Sequence, residues 1–252
     1  MSSRSSGLWT VLLLAAAWSS AVAAPGSGQA SSPAVLAAVD SEPAASEPAA
    51  SHEESAAGTE EQERIWTELL EGNARFAAGT PVHRELVDTR KELLKGQHPR
   101  AIILGCSDSR VPPELIFDQG LGELFVVRTA GNVADRVALG SMEYAVEHLH
   151  VPLLVVLGHR KCGAVTAAAS EEPMPSVNLA AVIERIAPAV ARLKGKATGD
   201  RLVNLAIEGN TYESARFLLD SSPILREGVE ARELVIIRAI YEMGTGKVVR
   251  LR

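Results

Sequence analysis

Four short apolar runs mark the chain beyond residue 100: Ala101-Ile102-Ile103-Leu104, Leu124-Phe125-Val126-Val127, Leu153-Leu154-Val155-Val156-Leu157 and Leu234-Val235-Ile236-Ile237. Their length and composition predict strands. The third is apolar throughout, as a strand covered on both faces should be. Residues 136–149 place Val137, Ala138, Met142, Ala145, Val146 and Leu149 along one side, which predicts a helix. Residues 179–193 and 201–219 predict two more. Ahead of the first strand, Ile65, Trp66, Leu69, Leu70 and Phe76 recur at helical spacing over 63–77, with Gly72-Asn73 weakening the pattern. A shorter helix is expected over 86–94, ended by Gly96. Another starts at Val111-Pro112-Pro113-Glu114, where proline suits the first turn and a carboxylate suits the positive helix end. Ala130-Gly131-Asn132 is a turn, and Val248-Val249 pairs with the fourth strand through Gly244-Thr245-Gly246. Strands alternating with helices predict an α/β fold with a central, largely parallel β-sheet flanked by helices.

The first quarter of the chain follows a different pattern. Arg4, an apolar core over 8–18 and Ala21-Val22-Ala23 predict a signal peptide over 1–23, cut after Ala23. The apolar stretch is shorter than the roughly 18 residues a membrane span needs. Residues 24–59 are Ala, Ser, Pro, Gly and Glu with little to bury, and read as a disordered linker. The folded part is expected over 60–252. Its charge differs from that of the whole chain. Residues 40–63 hold eight acids and no Lys or Arg. Without them and Arg4, the chain's 25 basic and 31 acidic residues leave 24 against 23. A neutral domain gives no support for a nucleic-acid surface, or for a membrane surface after signal cleavage. The protein is expected in the periplasm or secreted.

Both cysteines of the chain follow apolar strands, in Cys106-Ser107-Asp108-Ser109-Arg110 and in Gly158-His159-Arg160-Lys161-Cys162-Gly163. On an extended backbone, Cys106, Asp108 and Arg110 would point the same way. Parallel α/β sheets place their ligands at these strand ends. Two thiolates and one imidazole suit Zn²⁺, and three protein ligands leave the open fourth position of a catalytic zinc. Simpler readings exist: a disulfide, usual in an exported protein; a structural histidine; a Cys–His nucleophile pair. Each explains one residue. None explains Asp108 and Arg110 beyond Cys106 together with His159 ahead of Cys162.

The two motifs together resemble the β-class carbonic anhydrases. The likeness extends to Gly72-Asn73-Ala74-Arg75-Phe76, Gln97-x-Pro99, Arg128-x-Ala130-Gly131-Asn132, Glu143-Tyr144-Ala145 and Ser222-Pro223-Ile224-Leu225, and covers essentially 60–252. It implies zinc held by Cys106, His159 and Cys162 in homodimers or tetramers. The implied lyase reaction is CO₂ + H₂O ⇌ HCO₃⁻ + H⁺, with zinc making hydroxide available near neutral pH. The resemblance gives Asp108 and Arg110 catalytic roles. Asp108 orients the nucleophile while held by Arg110, or becomes a fourth ligand in a closed form. It makes Gln97 and Gly163 the groups that bind substrate.

Three departures stand out. Thr129 sits where many relatives carry Asn, Arg160-Lys161 replaces small residues and reads as solvated surface charge, and Ile237-Arg238-Ala239-Ile240-Tyr241 differs from the usual tail. The same zinc could also serve a hydrolase acting on CS₂ or COS. A metal-free, disulfide-linked binding domain is the reading from a different class.

Overall fold

A computed structural model describes residues 50–170 and 172–252. The signal peptide and most of the expected linker lie outside the described residues. The described residues begin with α1 (Ala50–Ala78), α2 (Leu86–Glu92) and a 3-10 turn, Leu93–Lys95. Strand β1 (Ala101–Cys106), α3 (Pro113–Ile116), β2 (Leu124–Thr129) and a 3-10 turn at Ala130–Asn132 follow. Then come α4 (Arg136–Leu149), β3 (Leu153–His159), α5 (Gly163–Ser170), α6 (Val177–Ala191) and α7 (Gly199–Ser221). Helix α8 (Pro223–Glu230) and strands β4 (Val235–Glu242) and β5 (Lys247–Arg250) complete the fold. All four expected strands form. The first ten residues of α1 belong to the stretch read as linker, and α8 had no periodic signal of its own.

Gly72-Asn73 does not break α1, because both residues are used in packing. A Cβ on Gly72 would lie 1.9 Å from the Phe117 carbonyl oxygen, so the bare backbone lets α1 approach α3. Asn73 is buried, and its Nδ2 donates to the carbonyls of Ile116 at 3.0 Å and Gly246 at 2.8 Å. Its Oδ1 accepts from the Val248 N–H at 2.8 Å. One side chain thus ties α1 to α3 and to the edge of the sheet.

The sheet runs β2-β1-β3-β4-β5, with the first four strands parallel and β5 antiparallel. Every residue of β1 and β3 is buried, as expected for strands with helices on both faces. On one face Ala101, Ile103, Leu153, Val155 and Leu157 pack with residues of α1, α3, α5 and α6. On the other, Ile102, Leu104, Leu154 and Val156 pack with residues of α4, α7 and α8. From β1 the chain steps outward to β2, then returns past β1 to β3. The reversal opens a crevice at the carboxyl ends of β1 and β3, where ligands bind in open α/β sheets. Cys106 ends β1 and His159 ends β3.

Candidate metal centre

The crevice brings together three donor atoms. Cys106 Sγ, a His159 ring nitrogen and Cys162 Sγ all lie within 4.8 Å of one another, and all three residues are buried. Neither cysteine is in a disulfide. His159 Nδ1 lies 2.9 Å from the Arg160 carbonyl oxygen. A carbonyl can only accept, so Nδ1 carries the proton and Nε2 presents its lone pair. That Nε2 is buried and has no hydrogen-bond partner. An orphaned imidazole nitrogen beside two sulfurs is costly unless a cation takes its lone pair. The donor set fits Zn²⁺.

Local structure aims these atoms. Lys161 adopts the left-handed conformation at φ 57, which folds the chain back between His159 and Cys162. The backbone N–H groups of Asp108 and Gly131 point to Cys106 Sγ at 3.5 and 3.3 Å. The hydrogen bond from Cys162 draws the Cys106 thiol down to about 4, aided by His159 and these two N–H groups against burial. The same contact and burial push the Cys162 thiol up, while N–H groups of Val165 and Ala164 in α5 act the other way. A bound metal would deprotonate both sulfurs.

Asp108 and Arg110 converge, though not along an extended strand. The chain turns after β1, and the Val111 N–H closes the turn onto the Asp108 carbonyl at 3.1 Å. Arg110 then folds back onto the Asp108 carboxylate and holds it well below the usual carboxylate range. Arg110 Nη2 also donates to the Lys161 carbonyl at 3.3 Å, tying the two ligand loops together. From β2, Arg128 donates to the Cys106 carbonyl at 2.8 Å and to the Asp108 carbonyl.

The other expected site residues divide. Gly163 adjoins Cys162 as the first residue of α5, and a Cβ there would meet nothing within 4 Å. Gln97 is exposed in the loop before β1. The six residues of β1, about 16 Å of strand, separate it from Cys106. Within one chain the fold does not bring Gln97 to the metal ligands. Thr129 donates its hydroxyl to the Val133 carbonyl.

Arg160 corrects an expectation. It is not a solvated surface charge: its side chain is 23% exposed and its guanidinium meets Glu208 Oε1 at 2.6 Å and Glu242 Oε1 at 3.0 Å. It also donates to the Asn204 carbonyl at 2.9 Å, and its own N–H donates to the Tyr241 carbonyl. The residue whose carbonyl orients His159 is therefore clamped between α7 and β4. Asn204, Glu208 and Glu242 drew no notice in the sequence, since their only signal is polarity within otherwise ordinary elements.

The sequence profile of the carbonic anhydrase family matches residues 101–248. The chain is 45% identical over 188 residues to carbonic anhydrase 2 of Mycobacterium tuberculosis, covering 73% of this chain and 90% of that protein. It is 34% identical over 198 residues to the carbonic anhydrase of Synechococcus elongatus, covering 73% and 70%. A solved β-carbonic anhydrase of Aspergillus fumigatus superimposes with a TM-score of 0.61 at 30% identity, over 66% of this chain and 81% of that one. A tetrameric β-carbonic anhydrase of Sordaria macrospora does so with a TM-score of 0.58 at 27% identity, over 64% and 85%. With this sheet order and a Cys–His–Cys centre at its crevice, the chain belongs to the β-class carbonic anhydrases, zinc-dependent lyases that hydrate CO₂ to bicarbonate.

Proposed function

We propose that Cys106, His159 and Cys162 hold one zinc ion, and that Asp108, restrained by Arg110, orients the nucleophile toward CO₂. The observation that carries this reading is the buried, unpartnered Nε2 of His159 facing two unbridged cysteines. Zinc, when bound, supplies a Lewis acid that makes hydroxide available near neutral pH. Asp108 is ionised and therefore only accepts hydrogen bonds, so it directs the hydrogen of the attacking oxygen toward itself and a lone pair toward carbon. Arg110 keeps that carboxylate ionised and turned aside, because a two-point guanidinium contact fixes both its oxygens. The Gly163 N–H, at the start of α5, is the donor for a substrate oxygen.

Gln97 can reach a substrate only if a second copy of the chain supplies it, and an assembly of copies is part of the proposal. The surface near Gln97 supports it. Helix α2 buries none of its residues, and Leu86, Val87 and Leu94 are 56%, 57% and 85% exposed. A seven-residue helix with an apolar, uncovered face is marginal alone and gains by packing against a partner. Export to the periplasm or beyond rests on residues 1–23, and among the described residues no helix is long and apolar enough to cross a membrane.

Zinc analysis combined with stopped-flow CO₂ hydration tests the reading. One zinc per chain and rapid hydration are expected, with CS₂ and COS turned over far more slowly. A metal-free, fully active protein would sink it. Sedimentation decides the assembly: a monomer would exclude Gln97 from the site. A mature N-terminus other than Ala24 in the exported protein would refute cleavage after Ala23.

A further inference from the structure

Gly131 connects the metal centre to α7. Its N–H donates to Cys106 Sγ at 3.3 Å, and its carbonyl accepts from Asn210 Nδ2 at 2.7 Å. Asn210 is 1% exposed, and its Oδ1 has no hydrogen-bond partner among the described residues. An asparagine inside a helix carries a propensity cost, and an unpaired buried amide oxygen adds a desolvation cost. The contact with Gly131 is what this buried amide does make.

Gly131 needs such a contact. It stands at φ 68, ψ 22, in the left-handed region, and without a Cβ its dihedrals are soft. The direction of its N–H therefore depends on what holds its carbonyl. A side chain at the position could not help, because a Cβ would meet Ile186 Cδ1 at 2.8 Å and Ala164 Cβ at 3.2 Å.

We propose that Asn210 is a positioning residue of the metal centre: it grips the Gly131 carbonyl and so aims the Gly131 N–H at the Cys106 sulfur. An N–H directed at a thiolate withdraws electron density from it, which sets how strongly that sulfur donates to a metal. This inference rests on the zinc reading above.

Asn210→Leu keeps the branched shape and removes the donor, and Asn210→Ala removes both. Each full-length variant is loaded with Co²⁺ in place of zinc. The thiolate-to-cobalt charge-transfer band is expected at lower energy than in the parent. Zinc affinity, measured by chelator competition, is expected to fall about 10- to 100-fold, because the sulfur is no longer held in place and lost positioning outweighs its stronger donation. A purely structural role would lower the melting temperature and leave the band in place, so a folded variant with unchanged band and affinity overturns the proposal. If neither variant folds, the parent loaded with an NMR-active cadmium isotope decides. The Gly131 amide proton should couple to the metal through the sulfur, and absence of that coupling overturns the proposal. If the parent takes up no metal, the zinc reading fails by itself. The grip is then read from Gly131 amide exchange in the metal-free chain, expected to be about tenfold faster in Asn210→Leu. Equal exchange overturns it.

Discussion

Arg110 closes on both carboxylate oxygens of Asp108, Nε to Oδ1 at 2.9 Å and Nη2 to Oδ2 at 2.7 Å, with its own N–H adding a third bond to Oδ1 at 2.9 Å. The pair lies two residues apart across a turn, so its geometry comes with the local backbone. Removing Arg110 frees the carboxylate without touching a metal ligand. Arg110→Ala is expected to keep its zinc and lose about 10- to 100-fold in kcat/KM, the cost of a misplaced group. Asp108→Ala is expected to keep zinc and lose about 10²- to 10³-fold, the scale for removing one preorganised hydrogen-bonding group. Stopped-flow rates with zinc content measured on the same samples check both. Rates equal to the parent's would remove Asp108 and Arg110 from the reaction.

Metal removal should behave differently from either variant. A strong chelator is expected to abolish hydration and lower the melting temperature, with added zinc restoring both, because a ligand of the folded state stabilises it by mass action. Cys106→Ser should match the chelated protein even with zinc present. A calorimetric scan unchanged by the chelator would contradict this.

Arg160 bridges Glu208, Glu242 and the Asn204 carbonyl with its side chain only 23% exposed. Exposed ion pairs are worth about 0–1 kcal/mol. Here one guanidinium holds α7 against the end of β3, so Arg160→Ala is expected to cost somewhat more, about 1–2 kcal/mol. The midpoint of urea unfolding reads this directly. Arg160→Lys should recover only part of the loss, since an ammonium cannot present the guanidinium fork.

Asp118 should make the fold sensitive to acid. Burial raises its pKa, but Arg84, Arg75 and the Val82 N–H lower it more, so the net shift is downward. The folded value lies below that of the unfolded chain, about 3.9. Its contribution to stability is therefore present above that pH and is lost as pH falls through the folded value. Asp118→Asn is expected to be less stable at pH 7 and to lose less stability between pH 6 and pH 3. Parallel melting curves for the two proteins would argue against this role.

Gly72→Ala sets two effects against each other. Alanine gains about 1 kcal/mol of helix propensity over glycine. Overpacking typically costs about 1–3 kcal/mol, and here the new Cβ falls 1.9 Å from a backbone oxygen that must itself move. Net destabilisation is expected, measured by chemical unfolding. A stabilised variant would mean that α1 and α3 separate easily.

Much of the site was legible because its signals are local. The apolar runs announce β1 and β3 through burial on both faces, a property written into consecutive residues. The metal ligands stand at the ends of those runs, and two of them share a loop. Gly72-Asn73 misled because a helix breaker and a close-packing site look alike until the neighbouring chain is in place. Arg160 misled for a related reason, since its partners lie 48 and 82 residues away.

The opposite holds for support and reach. Asn210 stands 79 residues from the Gly131 carbonyl it holds, and no periodicity marks that pairing. Gln97 matches a family motif that carries no information on distance, whereas the sheet puts it and Cys106 at opposite ends of β1. Residue order alone was therefore enough to identify the metal donors and the strands that carry them, because covalent neighbours and burial periodicity specify both. Which side chains brace those donors, and which motif residue one chain cannot bring to them, depended on packing of the complete fold, because those contacts join residues that chain order leaves far apart.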